Sequence, residues 1–117
     1  MYVTGFSAAV PAENREAYLK HAKTVSEIMR EHGALRCVEC WGDSVPDGAE
    51  TSFHKAVKCQ KNEAIVFGWS EWESKESCEQ GMRAFMTDSR TRDFIPPFDA
   101  SRLIWGGFHM AQETGEV

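Results

Sequence analysis

Two cysteines with two residues between them, Cys37 and Cys40 in the stretch CVEC, raise redox or zinc chemistry. The stretch lies in a run that reads as a β-strand, where side chains alternate faces, so residues three apart point to opposite sides. A redox pair of this spacing belongs at a helix start, where the dipole lowers the thiol pKa. A zinc site needs a second close pair, and Cys59 and Cys78 stand alone. The thiols are therefore expected as small buried hydrophobes, and neither a metal nor a cofactor is expected.

Acid–base chemistry has two candidates. Glu39 stands mid-strand beside apolar neighbours and shares the direction of Cys37 and Trp41. In a closed cavity its carboxylate would be a general base with a raised pKa. An ion pair with Arg36 or Arg102 is the alternative. His54 sits beside Phe53 in a long polar stretch, where an imidazole titrating near neutrality can act as acid or base; the alternative is an exposed loop histidine. Trp41, Trp69, Trp72 and Trp105 can hold a flat aromatic molecule or fill a core, and the core is expected for at least two of them. Asp99 and Arg102 suit the anchoring of a turn, with ligand binding by Arg102 as the other possibility. His21 and His109 have no partner at ligand spacing, and His32 precedes the helix cap, where a cation suits the dipole. Gly106 and Gly107 lie inside a strand with no helix after them, which indicates a bulge or a close approach rather than a phosphate loop.

The elements that position these residues follow from periodicity. Tyr2–Val10 is a strand ended by Pro11. Tyr18, Ala22, Val25 and Met29 form one face of a helix that Gly33 stops as a left-handed cap. Residues 34–42 are a second strand and 64–72 a third. Between them runs a polar segment about twice the usual loop length, and such segments tend to carry function. Ser74 caps a second helix with Cys78, Met82, Phe85 and Met86 inward and Gly81 at a close contact. A short helical turn stopped by Pro96 and Pro97 precedes a last strand over 102–111.

This β-α-β, β-α-β order predicts an α+β, ferredoxin-like βαββαβ fold, a four-stranded antiparallel sheet with two helices on one face, as a single domain over 1–117. The strands are apolar on both sides. Ile65, Phe67 and Trp69 oppose Val66 and Trp72, and Ile104, Phe108 and Met110 oppose Leu103 and Trp105. A sheet with helices on one side alternates apolar and polar, so something must cover the second face. A second copy is the simplest cover, giving a homodimer.

At 117 residues with 42% hydrophobic and 26% charged content, the chain reads as globular. A net charge of −5 with scattered Lys and Arg argues against nucleic acid and anionic lipid as partners. The opening MYVTGFSAAVP lacks the pattern of a signal peptide, and no apolar run reaches the roughly 18 residues of a membrane span. A cytoplasmic location with free thiols is expected.

Several stretches together resemble a known family: YVTGF at the start, GALRCVECW at 33–41, VPDGAETSFHKAVK at 45–58, VFGW at 66–69 and PFDASRLIWGGF at 97–108. They are similar, in order and over nearly the whole chain, to the small bacterial DUF1428 family, the YbaA-like proteins. The resemblance implies the dimeric α/β barrel superfamily, in which two ferredoxin-like subunits set their sheets face to face. That superfamily includes cofactor-free monooxygenases, haem-degrading enzymes, isomerases and stress-response proteins, so the fold leaves the reaction open. Thr4 stands where relatives often carry Asp, and Ala100 and Ser101 where Gly and Lys are usual.

The functional expectation is a small apolar or aromatic molecule bound between the sheet and the 43–60 segment, with Trp41, Phe53, Trp69, Trp105 and Arg102 as ligand-binding residues. A cofactor-independent monooxygenase or isomerase with Glu39 or His54 as base is one outcome. A non-catalytic binding or stress-response module, or a structural dimer acting through a protein partner, is the other.

Overall fold

The computed structural model describes residues 1–116. Four strands, β1 (Tyr2–Pro11), β2 (Arg36–Trp41), β3 (Glu63–Trp72) and β4 (Ile104–His109), form one sheet in the order β2-β3-β1-β4. Every neighbouring pair is antiparallel. Helices α1 (Arg15–Glu31) and α3 (Lys75–Thr87) follow β1 and β3, and a one-turn helix α2 (Phe53–Ala56) lies between β2 and β3. The fold is thus α+β, with β2 and β4 as edges.

Strand alternation divides the sheet. Ala8, Val10 and Val66 point to one side, where they pack with Tyr18 and Ala22 of α1. Trp72 packs there with Ala34 and Cys78. The opposite side is covered at one end only: Val57, Val45 and Cys59 of the β2–β3 connection bury Ala9 and Ile65. The connection therefore crosses to the face that the long helices leave bare. Its turn at VPDG depends on Gly48, at φ +67°, where a Cβ would collide with the carbonyl of Thr51.

Helix α1 ends as its sequence requires, with Gly33 at φ +116° and the Ala34 amide donating to the Met29 carbonyl. His32 does more than complement the dipole: its Nε2 lies 2.9 Å from Asp88 Oδ2, which Arg90 also holds, and Arg90 reaches Glu31. The cluster ties the C-terminal ends of α1 and α3 together. Ser74 caps α3 by accepting from the Ser77 amide, as its position predicts. Met86 departs from expectation and faces out, because the inward stripe has already rotated past it at Phe85. The segment after Thr87 holds a 3-10 turn at Ser89–Thr91, capped by Asp88.

Helix α2 adds one element within the 43–60 segment, which the sequence reads as a long polar loop. Ser52 accepts from the Lys55 amide and Lys55 Nζ donates to the Ala49 carbonyl. A single turn shows no 3.6-residue periodicity in sequence, and only its capping serine announces it.

Candidate functional site

Strand β2 pairs with β3 without interruption from Arg36 to Trp41, so no bulge brings Cys37 and Cys40 together. Cys37 accepts from Ser70 Oγ on the helix-covered face. Cys40 is exposed on the other, which corrects its expected burial, because it stands on an edge strand. Among the described residues, no group of three His, Cys, Asp or Glu is gathered as a metal site would need.

Glu39 and His54 lie on opposite sides of the sheet. Glu39 faces α1, where Tyr18 Oη donates to its Oε1 at 2.5 Å. The Tyr18 ring sits between Trp41 and Phe98, and the Arg15 guanidinium stacks over Trp41. Burial raises the Glu39 carboxyl above its usual range, against the Tyr18 bond, which lowers it. Burial and the neighbouring carboxylate together push the Tyr18 hydroxyl far up. The partner of Glu39 is thus a tyrosine and not Arg36 or Arg102, because α1 crosses this edge of the sheet with Tyr18 inward. His54 belongs to α2, and its Nε2 meets the Val45 carbonyl at 3.1 Å, which makes it a half-buried, anchored side chain rather than a loose one.

Arg102 is bound within the protein. It forms two 2.7 Å contacts with Glu63, one of 3.0 Å with Asp99, and donates to the Lys58 carbonyl. Asp99 in turn caps the 3-10 turn Ala100–Arg102 through the Ser101 amide. The turn-anchoring alternative describes this pair. Both carboxyls lie below their usual range: Glu63 through its hydrogen bonds from Arg102, and Asp99 through those from the Ser101 hydroxyl and then Arg102. A depressed carboxyl contributes stability above its unfolded pKa and loses it as pH falls through the folded value. Arg102→Ala is accordingly expected to lower Tm at neutral pH, with the deficit narrowing below about pH 4. Thermal melts of both proteins across acidic pH would show it, and a deficit independent of pH would mean that packing, not charge, holds this corner.

The concave region is on the bare sheet face, and the register explains it. Arg36, Glu71, Val3 and Phe108 form one row across the strands; Val38, Trp69, Gly5 and Gly106 form the next; Cys40, Phe67, Ser7 and Ile104 form the third. The middle row lacks a side chain at both glycines, so a trough opens there between flanking large residues. Its volume is about 580 Å³, within the range of small-molecule sites. Phe53 of α2 borders one end, edge-on to Phe67 at 6.0 Å. Trp69 forms a wall, its indole N–H donating to Glu71 Oε2 at 2.9 Å. Phe67, Ile104 and Phe108 on this face are 44%, 45% and 63% exposed.

Of the residues expected to bind ligand, Phe53, Trp69 and Trp105 line the trough, while Trp41 and Arg102 do not. Trp105 reaches its rim from the edge strand β4, and Trp41 packs against Tyr18 on the far side. Trp72 is core, with no exposure. Gly106 and Gly107 sit in unbroken register, so there is no bulge; Gly107 instead yields space to the Tyr2 side chain. Sequence reasoning missed Val3, Gly5 and Glu71 as trough residues. The β-strand period could have placed Glu71 beside Trp69, but the glycine pairing arises from opposite ends of the chain.

Residues 1–100 match the family described as "Protein of unknown function (DUF1428)". The chain is 46% identical over 109 residues to "Uncharacterized protein YbaA" of Escherichia coli (strain K12), covering 92% of this chain and 93% of that one. The protein of the same description from Shigella flexneri matches to the same extent. The chain belongs to the DUF1428 family.

Proposed function

We propose that this protein is a homodimeric binding module whose ferredoxin-like subunits, each one domain over 1–117, pair their bare sheet faces as a dimeric α/β barrel and hold a small apolar or aromatic molecule in the trough. The strand order β2-β3-β1-β4, with the two long helices on one face, supports the ferredoxin-like reading. The observation that carries the function is the trough itself: a glycine floor walled by Trp69, Phe67, Ile104 and Phe108 on a face where solvent meets large apolar side chains. Two such faces set together would close their troughs into one chamber.

Neither candidate base lines the trough. Glu39 is on the other side of the sheet, and His54 is bonded to the backbone. Binding is therefore favoured over catalysis by these two groups. A cytoplasmic setting fits the four thiols, which stand as free cysteines.

The test is the mass in solution. Light scattering after size exclusion should give twice the chain mass, and Phe108→Asp should give a monomer with an unchanged far-ultraviolet spectrum, since a residue this exposed adds little to the subunit's own core. A wild-type monomer at tens of micromolar would sink the dimer. The trough is tested by Gly106→Val, whose Cβ meets only the exposed Phe108 ring at 3.3 Å and fills the floor. Quenching of tryptophan fluorescence by a small aromatic probe should be lost in that variant.

A further inference from the structure

The trough has one chemical asymmetry. Of its lining residues only Glu71 is titratable, and it lies at the Val3–Phe108 end, one row from the glycine floor. Its carboxylate is oriented by Trp69, whose Nε1 donates to Oε2. Arg36 Nη1 stands 3.8 Å from that same oxygen, with its side chain 59% exposed, too distant for a hydrogen bond. Oε1 has no partner among the described residues, although the Glu71 side chain is only 17% exposed. The opposite end is neutral, since Ser7 Oγ already donates to the Val66 carbonyl.

From this juxtaposition of a fixed, half-satisfied carboxylate with an apolar hollow, and resting on the reading of the trough as a binding site, we propose that its ligand is an aromatic amine. An aromatic ring over Gly5 and Gly106 would meet Trp69 on one side and Phe108 beside it. One row along the strand is about 7 Å, so an ammonium on a two-carbon arm reaches Glu71 Oε1. The amine donates a charge-assisted hydrogen bond to the free oxygen, and the carboxylate is kept in place by the indole. A carboxylate ligand would meet like charge at this end and nothing cationic within the lining.

Three probes of one shape test this by calorimetry or tryptophan fluorescence: 2-phenylethylamine, 2-phenylethanol and 3-phenylpropionate. The amine should bind about tenfold more tightly than the alcohol, as a charge-assisted bond predicts, and the acid most weakly. Glu71→Gln keeps an acceptor for Trp69 while removing the charge, so it should bring amine and alcohol to equal affinity. Gly106→Val should abolish binding of the amine with Glu71 intact. An alcohol that binds as well as the amine, or a preference that survives in Glu71→Gln, overturns the amine assignment and leaves the trough standing as a site. Failure of all three probes, or amine binding unaffected by Gly106→Val, removes the trough reading and the assignment with it.

Discussion

Replacing Gly81 with alanine should cost the fold about 2 kcal/mol, although alanine is the better helix former. A Cβ at this position would stand 2.5 Å from the His32 carbonyl oxygen and 2.5 Å from the Trp72 ring. Neither can give way easily. The carbonyl is backbone at the C-terminal end of α1, and Trp72 is fully buried against Ala34 and Cys78, with its indole N–H directed to Thr4. Overpacking of this kind costs about 3 kcal/mol. The gain in helix propensity returns about 1 kcal/mol, so destabilisation wins. For a domain of this size the loss corresponds to a fall in Tm of roughly 6–12 °C. Thermal unfolding measures it directly, with Gly106→Ala as the comparison, since there only the exposed Phe108 ring must move. Equal Tm for Gly81→Ala and wild type would mean that α3 can lift from the sheet without penalty, and the close contact would have no energetic meaning.

The second large effect concerns Tyr18 and Glu39. Tyr18→Phe deletes the donor to a carboxylate that burial already disfavours, and an unsatisfied group of that kind costs about 1–3 kcal/mol. The sign of its pH dependence follows from linkage. Glu39 has a folded pKa raised above its unfolded value of about 4.3, so the folded state binds the proton more tightly. Stability tied to this group is fully present below the unfolded pKa and is lost as pH rises through the folded one. Without Tyr18 the folded pKa rises further, and the deficit of Tyr18→Phe should be largest near neutral pH and shrink on acidification.

Glu39→Gln gives the converse. The amide oxygen still accepts from Tyr18 and no charge is buried, so stability near pH 7 should equal or exceed that of wild type, and the pH slope from this site should vanish. Urea unfolding of the three proteins over the acidic to neutral range tests both statements. A Tyr18→Phe protein as stable as wild type at neutral pH would show that the short hydrogen bond contributes nothing net.

The same residues mark how far the sequence could be read. Period-2 alternation placed Cys37 and Cys40 on opposite faces and separated Phe67 and Trp69 from Val66 and Trp72, because the direction of a strand side chain depends only on its neighbours along the chain. The 3.6-residue stripe placed Tyr18 and Ala22 inward, Gly33 stopped α1, and Gly81 marked a contact too close for a side chain. Each is a local property or the immediate consequence of one. Two-sided apolar strands likewise indicated that the second face carries large apolar side chains, as Phe67, Ile104 and Phe108 do.

Partnerships across the fold were decided only in three dimensions. Nothing local joins Glu39 to Tyr18, or Arg102 to Glu63, since each pair meets through the packing of a helix or turn on a distant strand. The β2–β3 connection crosses to the bare face because Val57 finds burial against Ala9 and Ile65 there. Most of all, the trough exists because antiparallel register sets Gly5 opposite Gly106 and beside Trp69. The alternation that aims each side chain is written along one strand, whereas register is fixed by the summed packing of all four, and it is register that turned two separate glycines into the floor of a trough.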